Sequence, residues 1–485
     1  MRFLQPSRVT DAEQSFDRAY PILAAMRRTN PRQVSECEQT WLLFDSFART
    51  VVDVVALELD EAGFEIPSQS LENLLTEACQ RRIFSLSLPR SLGGQGVSLL
   101  ALSIGLERLS RSCLGVANLL AVHGLALGVL GAVGALTQLR QIAAQIVEGE
   151  RNGKPYLIST AATEPEAGTD LEDLELLEHA RLRCEAKRVA DGWNINGTKI
   201  FVSNGSLASA HVVIAPTDRS QPVSSLSAFL VERDRPGVKV VRVEHKLGQR
   251  ACPAAELSFL DCFVPDSHKL NQQSVAGKAL DLVLGASRST VAAFGSGAAF
   301  GVLRDCQRIC STSGAGTAVE GDQESTYAIL SQMWQNARLA RSSYLDAVLA
   351  NTCFGLISLM EVAILRQLDR VVPPGIGAWA TSFRVFDSPL LNREARRWLD
   401  HLSPEKVADA SAHASAAKIA CSRLALENCE LASDLLGPLS TVESTGIPKR
   451  WRDARLLAIY EGTNELNALD VYKKGVLQDS ENAIG

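Results

Sequence analysis

Two switches in hydrophobic period constrain this chain more than any other feature. From about Ser68 to Glu150 apolar residues recur at helical spacing, as in Leu71-Leu74-Leu75-Ala78 and Leu99-Leu102-Leu106-Leu109. From Pro155 to about Leu270 the pattern becomes short alternating runs between turn residues: Trp193 to Gly197, His211 to Pro216, Leu226 to Glu232 and Gly237 to Val243. From Gly277 onward helical spacing returns. An element cannot satisfy both periods, so the chain divides into helical, β and helical parts, an α+β architecture. The expected units are an N-terminal helical domain with an extension over 1–155, a middle β domain over 156–272 and a C-terminal helical bundle over 273–485. The middle domain reads as antiparallel strands forming a barrel or sandwich. Val371 to Pro404, with Pro373-Pro374, Gly375 and Gly377, reads as an insertion near 371–404.

Bulk properties narrow the class. At 485 residues the chain exceeds what one simple core accommodates. With 46% hydrophobic and 21% charged residues, extensive disorder is not expected. A formal net charge of −6 offers no basic face for nucleic acid. The 11 cysteines are scattered and lack metal-ligand spacing, so no metal is expected; they read as buried thiols in a reducing cytoplasm. The N-terminus has no apolar signal core. Leu114 to Leu136 is uncharged over a membrane-crossing length, but its glycines, Asn118 and His123 favour a buried core helix over an integral span.

Three segments carry candidate chemistry. ATEPEAGTDL (Ala162 to Leu171) offers hydroxyls at Thr163 and Thr169 and a small-residue turn at Ala167-Gly168, where main-chain N–H groups can approach a ligand closely. NGTKIFVSNGSLA (Asn196 to Ala208) reads as a strand with Phe201 and Ser203 on one face. RWRDARLLAIYEGTNEL (Arg450 to Leu466) runs a charged helix into Tyr460-Glu461-Gly462-Thr463. Singly, each is compatible with ordinary turn and surface polar residues.

In this order they resemble the acyl-CoA dehydrogenase family, whose pattern is TEPxAGSD, then GTKxWITNG, then a late RDAR…IYEGT. LPRSLGGQG (Leu88 to Gly96) and HKLGQRACPAAELSFLDCFVP (His245 to Pro265) are similar to two further family segments. The resemblance spans about Ser68 to Lys473. It implies a helical N-terminal domain, a middle β-barrel or sandwich and a C-terminal four-helix bundle. It also implies FAD-dependent α,β-dehydrogenation of an acyl thioester carried by CoA or an acyl-carrier protein. Electrons would pass to an electron-transfer flavoprotein or oxygen, and the assembly would be a homodimer or homotetramer. Glu461 takes the place of the family's base. Some members carry the base just before a helix arginine; here that arginine is Arg288 and the preceding residue is Ser287, which cannot serve. The implied FAD seat comprises Ala162, Thr163, Gly168, Thr169, Phe201, Ser203 and Thr463, with Phe201 replacing the usual tryptophan. GSGAAFG (Gly295 to Gly301) lies in a helical run and lacks dinucleotide-fingerprint spacing.

Two family motifs are altered. CSTSGAGTAV (Cys310 to Val319) stands where members carry RxxFG, and Asp434-Leu435-Leu436-Gly437-Pro438 where they carry QxxGG. These changes keep two other readings open: an oxidase- or monooxygenase-type relative, and a non-catalytic interaction or assembly protein of the same fold.

Overall fold

The computed structural model describes residues 15–62, 68–271, 278–312, 323–354, 387–388 and 403–477. Most of the insertion expected near 371–404, and most of the Cys310 to Val319 segment, lie outside them.

Helices described in the N-terminal part include α1 (Pro31–Phe47), α2 (Gln69–Gln80), α3 (Leu99–Ser110), α4 (Leu114–Ala132) and α5 (Leu136–Arg151). Helix α2 begins where Ser68 Oγ accepts the N–H of Leu71, and it buries the stripe Leu71, Leu74, Leu75 and Ala78. Ser98 caps α3 in the same way, through the N–H of Ala101. Helix α4 is long and apolar enough to cross a membrane, yet 67% of that window is buried inside the protein. It packs against α3 and the first strand of the middle domain.

The middle domain contains β1 (Ile158–Ala161), β2 (Glu185–Val189), β3 (Gly192–Ser203), β4 (Ala210–Pro216), β5 (Leu226–Glu232), β6 (Val238–Val243) and β7 (Ala254–Pro265). They form two sheets, ordered β1-β4-β5 and β2-β3-β7-β6. Ile195, Val202, Val213, Phe229 and Leu257 fill the core between them. The expectation of purely antiparallel pairing is corrected at one place: β1 pairs parallel with β4, Ile158 opposite Ala210. The chain passes through β2 and β3 before returning, which is the long crossover that parallel pairing requires.

In the C-terminal part α6 (Lys278–Thr312), α7 (Gln323–Phe354) and α8 (Pro404–Leu436) pack on one another, with α9 (Ile447–Leu456) and α10 (Asn464–Val471) against α8. Three long helices of the expected bundle are thus present among the described residues. The GSGAAFG stretch lies inside α6 and serves packing. A Cβ on Gly297 would come 2.3 Å from the carbonyl oxygen of Glu107 on α3, so glycine permits that close crossing.

All three parts meet at Gln249. Its Oε1 accepts from Asn118 Nδ2 of α4 at 2.9 Å, and its Nε2 donates to the Asp453 carbonyl of α9 at 3.0 Å. The same amide reaches the Tyr460 hydroxyl at 3.3 Å, which fixes the approach to Glu461.

Candidate active site

Glu461 occupies the turn between α9 and α10 in a left-handed backbone conformation (φ 54°), followed by Gly462 (φ 75°). For a residue other than glycine, this region costs about 1–2 kcal/mol. The surrounding structure compensates by gathering the turn's main chain. Asn467 Nδ2 donates to the carbonyls of Glu461, Gly462 and Thr463 at 3.2, 3.0 and 2.9 Å. Lys418 of α8 donates to the Gly462 carbonyl and, at 3.2 Å, to Asn464 Oδ1. Thr463 caps α10, its Oγ1 accepting the N–H of Leu466 at 3.3 Å.

The Glu461 carboxylate accepts a hydrogen bond from Ser287 Oγ on α6. Arg288, the next residue, is 1% exposed. Its Nε donates to the Glu461 main-chain carbonyl at 3.3 Å. Its Nη1 donates to Ser415 Oγ at 3.1 Å and Asp470 Oδ2 at 3.2 Å, and its Nη2 to Glu172 Oε2 at 3.3 Å. Glu172 ends the short 3-10 turn Thr169–Glu172 that continues the TEPEAGTD loop. The first candidate loop and the late YEGT turn therefore converge on one guanidinium.

Burial raises the Glu461 carboxyl above its usual range, opposed by the Ser287 hydrogen bond and the charges of Arg288 and Lys418. Burial also pushes Glu172 up, to about 7, with Arg288 pulling it down and Glu461 adding like-charge repulsion. Desolvation lowers Lys418 to about 8.

The loop and strand that resemble a flavin seat are joined directly. The N–H of Ile200 donates to the Thr163 carbonyl at 2.9 Å. Lys199 reaches across to the Ala162 carbonyl and Glu164 Oε1, both at 2.7 Å. Glu164 Oε2 in turn accepts from the N–H groups of Arg183 (2.7 Å) and Cys184 (3.0 Å). A bulge in the β3–β7 ladder between Lys199 and Val202 breaks simple alternation. There Phe201 takes a left-handed conformation (φ 51°) and leaves its ring 56% exposed, while Ser203 is half-buried. A Cβ on Gly168 would meet nothing nearer than Thr163 Cγ2 at 3.8 Å, so the loop leaves room beside its main chain. An open aromatic face, a rigidly tethered polar loop and free space at its glycine fit a planar cofactor such as a flavin.

Of the residues expected from sequence, Glu461, Arg288 and Thr463 sit together around one turn. Ala162, Thr163, Gly168, Thr169, Phe201 and Ser203 belong to the loop–strand pair, which reaches that turn through Glu172 and Arg288. Sequence reasoning missed four participants: Ser287, dismissed as a base but present as a donor, and Glu172, Lys418 and Asp470. Glu172 immediately follows the quoted loop segment Ala162 to Leu171. The other two are single polar residues on helices, with no local signal separating them from surface positions.

Comparison with known proteins bears on the family and the fold. The family descriptions "Acyl-CoA dehydrogenase, N-terminal domain", "middle domain" and "C-terminal domain" match residues 36–150, 159–262 and 387–476 respectively. The short-chain specific mitochondrial acyl-CoA dehydrogenase of Mus musculus is 28% identical over 390 residues, covering 80% of this chain and 78% of that protein. Cyclohex-1-ene-1-carbonyl-CoA dehydrogenase of Geobacter metallireducens is 28% identical over 422 residues, covering 86% and 94%. The solved butyryl-CoA dehydrogenase of Megasphaera elsdenii shares the fold with a TM-score of 0.69 at 21% identity, covering 91% of this chain and 98% of that one. With its three successive domains matched in order, this chain belongs to the acyl-CoA dehydrogenase family of FAD-dependent oxidoreductases.

Proposed function

We propose that the chain oxidises an acyl thioester, on CoA or an acyl-carrier protein, to its α,β-unsaturated form, with Glu461 as the base. The observation that carries this reading is the Glu461 carboxylate itself, raised by burial and held on a strained, fully tethered turn linked through Arg288 and Glu172 to the loop–strand pair. A thioester α-proton is too weakly acidic for a solvated carboxylate to remove. Desolvating the base raises its basicity, and fixing its position removes the orientational cost. FAD, when bound, supplies the acceptor for the β-hydride. Ala162, Thr163, Gly168, Thr169, Phe201, Ser203 and Thr463 are the residues that would hold it. On the protein side, Glu461 takes the α-proton and becomes neutral. Ser287 orients the carboxylate, and Arg288 and Lys418 fix the main chain on either side of it. Electrons leave to an electron-transferring flavoprotein or to oxygen. The domain limits that go with this reading are 1–155, 156–272 and 273–485.

The test is anaerobic bleaching of the yellow holoenzyme by a panel of short, long, branched and aromatic acyl thioesters. Glu461→Gln should keep the colour and lose bleaching with every substrate the parent accepts. Bleaching at the parental rate removes Glu461 from the role. A chain that cannot be reconstituted with FAD supports the non-catalytic alternative, and rapid peroxide formation in air supports an oxidase.

A further inference from the structure

The buried Arg288 raises a physical difficulty for a base beside it. A guanidinium that pairs with the Glu461 carboxylate would stabilise its anion and blunt its affinity for a proton. The geometry avoids this. None of the Arg288 hydrogen bonds among the described residues goes to that carboxylate. Nη1 is taken by Asp470 and Ser415, Nη2 by Glu172, and Nε by the Glu461 main-chain carbonyl. Asp470 is itself saturated, accepting from Ser411 at 3.1 Å and Ser415 at 2.7 Å while Lys474 pairs with its other oxygen at 2.7 Å. That leaves Glu172 as the partner bound to Arg288 from the side of the base. Glu172 also lies against the main chain of Gly462. The contact is close enough that a Cβ on Gly462 would lie 2.9 Å from Glu172 Oε2.

Resting on the assignment of Glu461 as the base, we propose that Glu172 is a positioning residue for it. By occupying the Nη2 edge of Arg288 and packing against Gly462, Glu172 braces the strained turn and keeps the guanidinium off the Glu461 carboxylate.

The other charges facing Glu461 are consistent with this division. From α8, Lys418 is spent on the Gly462 carbonyl and Asn464. From α10, Glu465 is exposed and Asp470 acts only through Arg288. From α6, Ser287 supplies the direct donor to the carboxylate. Glu172 is thus bound directly to the guanidinium, while Glu461 holds it only through its main-chain carbonyl.

The experiment compares the parent, Glu172→Gln and Glu461→Gln by two measurements. The first is the pH profile of anaerobic bleaching. Glu172→Gln removes the competing carboxylate, so Arg288 acts more fully on Glu461 and the acid limb should move down by about one pH unit. A lower rate with the limb unmoved is what a merely structural residue would give, and it overturns the proposal. The second is infrared titration of the protonated-carboxyl band, which needs no turnover. In Glu461→Gln the remaining Glu172 carboxyl should titrate about one pH unit lower than in the parent, because the like charge is gone. An unmoved Glu172 titration overturns the coupling, even if Glu172→Gln does not fold. Failure of the base assignment looks different: Glu461→Gln would still bleach, whatever the infrared titration gives.

Discussion

Ser287 Oγ donates its hydrogen bond to the carboxylate of Glu461 from the helix position immediately before Arg288. Adjacent residues of α6 thus divide the labour, one binding the side chain of the base and the other its main chain. A hydroxyl that donates to a carboxylate favours the ionised form. Removing it should leave Glu461 harder to ionise.

Ser287→Ala should therefore move the acid limb of the bleaching profile up by about one pH unit, from a charged hydrogen bond worth about 1.5 kcal/mol. Below the limb the rate should fall roughly tenfold, and above it little should change. Glu172→Gln is expected to shift the same limb the opposite way. General loosening of the site would not produce opposite signs, so two shifts in one direction would refute the electrostatic account of both residues.

Phe201 holds its ring 56% exposed on a bulge, in a conformation that costs backbone energy. Truncating an exposed side chain ordinarily changes stability by less than about 0.5 kcal/mol. Phe201→Ala should leave apoprotein stability within that range and weaken FAD binding roughly two- to twelvefold, the loss of one stacking contact worth about 0.5–1.5 kcal/mol. Fluorescence titration of apoprotein with FAD measures the affinity. An unchanged Kd would show that the ring does not face the flavin.

Much of the fold could be read in the sequence because period reports directly on which face is buried. The stripe on α2, the buried run of α4 and the strands β4 and β5 all fall where spacing placed them. Parallel pairing of β1 with β4 was not legible, since strand direction depends on the path of the connection and not on local pattern. At the site, the YEGT turn and the TEPEAGTD loop stand out because several unusual residues occur together. Glu172, Lys418 and Asp470 do not, because their roles arise from separate segments meeting around the Glu461 turn, two of them at Arg288 and Lys418 at Gly462 and Asn464.

Lys199 and Glu164 form an ion pair with both side chains 1% exposed, tying the TEPEAGTD loop to β3. Breaking a pair this deeply buried leaves an uncompensated charge and costs about 3–5 kcal/mol. Lys199→Met should destabilise by that order in urea unfolding and lower FAD retention on gel filtration. The double variant Lys199→Met/Glu164→Gln should recover a substantial part of the stability, because neither charge is then left stranded. A double variant as unstable as the sum of its singles would mean that the pair contributes packing and not charge compensation.

His123 and His211 flank β1 with 2% and 0% exposure, and burial lowers both to about 4, aided at His211 by the charge of Arg233. His123 Nδ1 accepts the N–H of Ile158 at 3.2 Å, and His211 Nδ1 lies 2.8 Å from Ser159 Oγ. Both are therefore neutral in the folded protein, whereas the unfolded chain protonates them near 6.5. Between about pH 6.5 and 4 the unfolded state binds more protons, so stability is fully present above this window and is lost as pH falls through it. Each histidine contributes at most about 3 kcal/mol to that loss. Urea midpoints measured from pH 7.5 to 4.5 should fall with acidity, and His211→Asn should be less stable at pH 7 but lose less on acidification. An identical pH slope in parent and variant would show that His211 is not the group being titrated.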